Sequence, residues 1–208
     1  MLFLKSLVES QFNGQRLGRA VLFFLLPTIL WAVFLLAFGF ALNAQGLALS
    51  IGLGALGWAV ISLALYVLLR LFKGKDAKVG FSSVLAAFSV NYLIAAIAGL
   101  LVIVLIMAAV PGFFQKLSSL QGQALTQEQM VSVVNSLALP GDAVFIAVFA
   151  AIFLIIAAAA AAGVAVLYCI GSLAKETSRF SNLVFAVLGL GLIIGVDYAL
   201  GAIIGLFL

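Results

Sequence analysis

The sequence predicts an all-α fold, a polytopic transmembrane bundle of five spans with short amphipathic helices at the membrane surface. Three observations carry that prediction. Of 208 residues, 67% are hydrophobic and only 8% charged, whereas soluble globular chains run about 45–50% apolar and about 25% charged. The apolar residues fall in continuous runs and do not alternate with period two, which excludes a lipid-facing β-barrel. In hydrocarbon every backbone N–H and C=O needs an internal partner, so continuous apolar runs must be helices.

The elements follow in order. Residues 1–19 carry Leu4, Leu7, Val8 and Phe12 as an apolar stripe, with Lys5, Glu9, Gln11 and Arg16 elsewhere. This is the pattern of an interfacial amphipathic helix leading into the first span. A cleaved signal peptide is the competing idea. It is disfavoured because residues 2–19 lack a continuous apolar core and the apolar run that follows is too long.

Residues 20–208 form the bundle. No charge occurs between Arg19 and Arg70, and Asn43-Ala44-Gln45-Gly46 divides that stretch in two. Because about 20 apolar residues cross a bilayer core, each half suffices. The spans are expected at roughly 20–42 and 47–69, then 82–110 after a basic loop holding Arg70, Lys73, Lys75 and Lys78. The third is longer than needed and leaves room for tilt or for an interfacial turn at its start. A polar stretch from Phe113 to Asp142 follows. Within it Thr126-Gln127-Glu128-Gln129 resembles a capping box, and Met130, Val133, Val134 and Leu137 recur at helical spacing, as in a short surface helix. Spans four and five are expected at roughly 143–173 and 182–208.

Charge sets the orientation. An inside N-terminus places Lys5, Arg16, Arg19, Arg70, Lys73, Lys75, Lys78, Lys175 and Arg179 on the cytoplasmic side and only Lys116 outside. Nine cations against one is the asymmetry of positive-inside loops. The expectation is a multi-pass protein of the cell membrane, a prokaryotic inner membrane, with a cytoplasmic N-terminus and an extracytoplasmic C-terminus. The net charge of +4 is read as topology, not as affinity for nucleic acid. Anionic lipid is a further partner for Arg70, Lys73, Lys75 and Lys78.

Few residues could carry chemistry. Asp197, in Gly195-Val196-Asp197-Tyr198, is the ionisable residue deep in a span. A charge at mid-bilayer costs roughly 2.5–3.5 kcal/mol on insertion scales. It is therefore either a proton or ion site or a neutral acid bonded to a nearby polar group. Gly191 and Gly195, Gly201 and Gly205, and Gly52 with Gly57 are read as helix-packing positions, as are Ala157–Ala162 with Gly163, since small residues let membrane helices approach closely. Asn91, Tyr92 and Ser62 are read as interhelical hydrogen-bonding groups. Cys169, the single cysteine, forbids an internal disulfide and is read as a packing residue, with palmitoylation as the alternative. Histidine is absent, so a zinc-protease helix and a serine–histidine dyad are excluded. No glycine-rich phosphate loop occurs, and an intramembrane aspartyl protease would need two acids. No enzymatic activity, metal or cofactor is expected.

The passage Leu69-Arg70-Leu71-Phe72-Lys73-Gly74-Lys75, then Phe81-Ser82-Ser83-Val84-Leu85 and Tyr92, resembles the Yip family of five-span Ypt/Rab-interacting proteins, which has bacterial members. The likeness lies in a basic, glycine-containing loop leading to an aromatic residue that opens span three. Where the family often has a proline after the span-three tyrosine, Leu93-Ile94-Ala95 stand here. The resemblance implies a non-enzymatic accessory or organising protein, and some bacterial relatives accompany exporters. The expected function is accordingly that of an accessory or scaffold protein packing against another membrane protein or itself. The alternative is a small channel or transporter subunit that uses Asp197.

Overall fold

The computed structural model describes residues 2–14, 17–40, 44–74, 79–120, 132, 141–174 and 178–207, without the side chains at 2, 14, 50, 73, 197 and 200–207. All regular structure among the described residues is helical. The helices are α1 (Leu2–Gly14), α2 (Leu17–Ala37), α3 (Ala44–Lys73), α4 (Phe81–Phe88), α5 (Val90–Ala109), α6 (Phe113–Ser119), α7 (Asp142–Ala174) and α8 (Arg179–Phe207). Five segments are long and apolar enough to cross a membrane: α2, α3, α4 with α5, α7 and α8. The predicted capping box and the stripe from Met130 to Leu137 lie outside the described residues.

Several boundaries depart from expectation for identifiable reasons. The first span stops at Ala37, not near residue 42, because Gly39 adopts φ +78°. Its N–H bonds to the Leu36 carbonyl at 3.1 Å and that of Phe40 to the Leu35 carbonyl at 2.9 Å. This paired closure ends a helix wherever glycine can enter the left-handed region. The second span runs on to Lys73 and is closed by Gly74, φ +75°, whose N–H reaches the Arg70 carbonyl at 3.0 Å.

The third span tightens at Ser89 without losing its course: the residue keeps φ −58° and ψ −20°, and its N–H still reaches the Leu85 carbonyl at 3.3 Å. At Ser89 the hydroxyl turns back on the Ala86 carbonyl at 2.6 Å, competing with the backbone ladder. The result is a short inner helix, α4, and a longer outer one, α5. Part of the expected polar stretch, Phe113–Ser119, is helical as α6.

Helices α3, α8, α7, α5 and α2 follow one another around the bundle, each packed on the next. Their shared core lies toward one end. There α4 is wrapped by α1, α2, α3 and α7, with Ser83, Val84, Ala86, Ala87 and Phe88 buried. Burial of Leu65, Leu69, Val166, Leu167, Ile170 and Phe185 completes it.

This end also gathers cations. Arg70 donates from a guanidinium nitrogen to the Val79 carbonyl at 3.1 Å, closing the loop between α3 and α4. Gly171 of α7 lies against Asn182 and Phe185 of α8. Lys5, Arg19, Arg70 and Arg179 therefore belong to helices that meet here, whereas Lys116 belongs to α6, beyond α5.

Candidate functional site

The clefts lined by described residues are apolar. Among the described residues no group of three or more acids or cysteines could hold a metal ion. What the structure offers is a polar, aromatic interior at the basic end and a set of outward helix faces with nothing upon them.

The interior is built around the first turns of the third span. Trp58 of α3 donates its indole N–H to the Leu85 carbonyl of α4 at 3.1 Å, near the point where Ser89 disturbs the ladder. Phe24 of α2 stacks on Trp58 with centroids 5.0 Å apart and rings 9° from parallel. Tyr92 meets Phe24 edge-on at 5.2 Å and Phe88 at 6.1 Å. Offset or edge-on aromatic pairs add about 0.5–1.5 kcal/mol beyond their area. Tyr92, read from sequence as a hydrogen-bonding group, thus also joins α2, α3 and α4 through its ring.

Ser62 is fully buried on α3, and its hydroxyl finds no partner among the described residues. Asn91 lies over Gly163 of α7, where an added Cβ would be 3.2 Å from its amide oxygen, while its amide nitrogen is buried without a partner. The expected interhelical hydrogen bonds of Ser62 and of the Asn91 nitrogen are therefore not made among the described residues.

Gln11 of α1 corrects the reading of the first 19 residues. It is 1% exposed, and neither its amide oxygen nor its nitrogen has a partner. Helix α1 is seated on α4 and α7 by Val8 and Phe12, with Leu4 and Leu7 against the same core. Gln11 was expected off that stripe. It stands seven residues after Leu4, which is the apolar face of a helix, so the spacing carried the signal and its polarity masked it. A buried polar atom left unpaired costs about 1–3 kcal/mol.

The glycines divide into two sets. At Gly171 an added Cβ would lie 3.0 Å from the Phe185 ring, and at Gly189 3.1 Å from Leu65 and 3.3 Å from Leu167. These are the close approaches that hold α8 to α7 and α3, and Gly171 and Gly189 were not singled out from sequence. Gly57 is buried. At Gly52, Gly191 and Gly195 an added Cβ would meet nothing within 4 Å. Packing inside the chain does not explain these three. The reason is register: Asn182, Phe185, Ala186 and Gly189 are buried and Leu190 and Ile193 pack beside them, while Val187, Leu188, Gly191, Ile194 and Gly195 are exposed. Gly201 and Gly205 are helical, and their surroundings lie outside the described residues.

The outward faces are apolar. Phe145, Ile146, Phe149, Phe153 and Leu154 of α7 are exposed, Phe149 at 67%. Between α5 and α7 runs a groove of about 280 Å³ lined by residues including Ile94, Ala98, Leu101, Ile155, Ala159 and Ala162. Ala158, Ala159 and Ala162 of the predicted alanine run form one wall of it.

Asp197 has helical backbone, and its side chain lies outside those described. Because α8 begins at Arg179, Asp197 follows it by 197 − 179 = 18 residues. At 1.5 Å per residue that is about 27 Å along the axis, nearly the thickness of a bilayer core. The basic loop is partly committed to structure. Besides closing the loop, Arg70 reaches the Tyr66 hydroxyl at 3.2 Å and lies 5.3 Å from that ring's centroid. Lys75, Lys78 and the side chain of Lys73 lie outside the described residues. Cys169 is a buried free thiol in the α7 core.

No family model, curated protein or solved structure matches the chain.

Proposed function

We propose that the protein is a non-enzymatic accessory component of a cell membrane, acting by lateral contact with another membrane protein or a second copy of itself. One observation carries the reading. Gly191, Gly195 and Gly52 present bare backbone outward from helices where, among the described residues, nothing meets them. Glycine within a helix costs roughly 0.5–1 kcal/mol relative to alanine. The fold gains nothing for it at these positions, whereas a partner helix would gain close approach. The exposed aromatic face of α7 and the α5–α7 groove supply further apolar contact area. The Yip-like passage from Leu69 to Tyr92 supports the same reading, and the cation asymmetry supports a cytoplasmic N-terminus with anionic lipid at the basic end.

The experiment is purification in gentle detergent with mass spectrometry of what accompanies the chain. Wild type is expected in a defined complex, and Gly191→Ile with Gly195→Ile is expected alone, equally well folded. A wild-type chain that is always solitary would contradict the reading. The same protein in liposomes is expected to pass no protons or ions, and a flux abolished by Asp197→Asn would establish the channel alternative instead. Orientation is read from single cysteines in a Cys169→Ala background. Ala44→Cys should react with an impermeant thiol reagent from outside and Lys75→Cys only after lysis; the reverse pattern inverts the topology.

A further inference from the structure

We propose that α1 is a displaceable strap, alternating between its seat on α4 and α7 and the membrane–water interface, with Gln11 setting how readily it leaves. The seat is real: Val8 and Phe12 are buried, and Leu4 and Leu7 pack on the same core. Within it, however, Gln11 loses its water on docking and receives no hydrogen bond from any described residue at either amide atom. Off the seat the amide is hydrated again.

The helix also has somewhere to go. Its other side already faces outward, with Lys5, Glu9 and Ser10 exposed, and Phe3 is 80% exposed. Thirteen residues with an apolar stripe and opposed charges make a surface-lying amphipathic helix. A seat weakened by an unmatched amide and an alternative site at the interface make a two-state element. Departure of α1 uncovers the faces of α4 and α7 beneath it, at the end of the bundle where the shared core lies. The proposal concerns the chain itself and stands whether or not the accessory reading does.

The test is a distance measurement on the whole chain. Spin labels go at Lys5→Cys and Arg179→Cys, both exposed positions, in a Cys169→Ala background, in nanodiscs containing phosphatidylglycerol. Double electron–electron resonance is expected to give two distance populations with Gln11 present. Gln11→Leu, which removes the unmatched polar atoms at similar volume, should leave one seated distance and shrink the other population by about tenfold. Gln11→Glu should enlarge it. Gln11→Met serves the same comparison where the leucine protein does not fold. A single narrow distance shared by all the variants, or a displaced population that grows in Gln11→Leu, overturns the proposal.

Discussion

The two ends of α7 are both largely apolar and have opposite fates. From Val166 to Ala174 it buries Val166, Leu167, Cys169, Ile170, Gly171 and Ala174 against α1, α4 and α8. From Asp142 to Ala161 none of its residues is buried, although Phe145, Phe149 and Phe153 are as apolar as anything in the core. Hydrophobicity does not distinguish them, because in lipid an apolar side chain gains little by leaving its neighbours for another helix. Close approach does. The packed half has Gly171 under Phe185, with the inner half-helix α4 filling the space between spans. The exposed half has bulky residues recurring every four positions, Phe145, Phe149 and Phe153.

That contrast can be broken most severely at Gly171. Its replacement by leucine drives a side chain into the fully buried Phe185, 3.0 Å from the added Cβ. Overpacking of this kind costs roughly 1–3 kcal/mol. A chain of this size should then melt several degrees lower, since 1 kcal/mol shifts the midpoint by about 2–4 °C. Thermal unfolding in detergent, followed by near-ultraviolet circular dichroism, checks this; an unchanged midpoint would mean the α7–α8 contact is not a tight one.

A smaller effect is expected at Trp58→Phe, which keeps the ring over Phe24 and loses the N–H to the Leu85 carbonyl. The loss should be near 1 kcal/mol, the net worth of one hydrogen bond. A full alanine-like collapse there would place the importance in the stack instead.

The sequence predicted the number, type and order of the spans because hydropathy and charge are properties of whole segments. It predicted their ends less well, since Gly39 ends α2 inside a run that reads as uninterrupted apolar residues. The excess length of the third span left room for a turn at its start, but the tightening at Ser89 depends on its hydroxyl reaching the Ala86 carbonyl, which hydropathy does not encode. Small-residue motifs misled in one respect. Gly191 and Gly195 have the spacing of a packing motif, yet the face of α8 that packs in this chain is set by Asn182, Phe185 and Gly189. Gln11 was legible by its spacing and overlooked for its polarity. Which outward face meets a partner is not a property that one chain's hydropathy encodes.

The account rests on α8 having one face that builds the bundle and another left free, so two glycines two residues apart on it provide the sharpest test. Gly189→Ile should force Leu65 and Leu167 aside and lower the melting midpoint by roughly 5 °C or more, on the scale of an overpacked core. Gly191→Ile should leave it unchanged or raise it slightly, because isoleucine is the better helix former by a few tenths of a kcal/mol. Equal losses at the two positions, or a larger one at Gly191, would contradict the division of α8 into a packed and a free face.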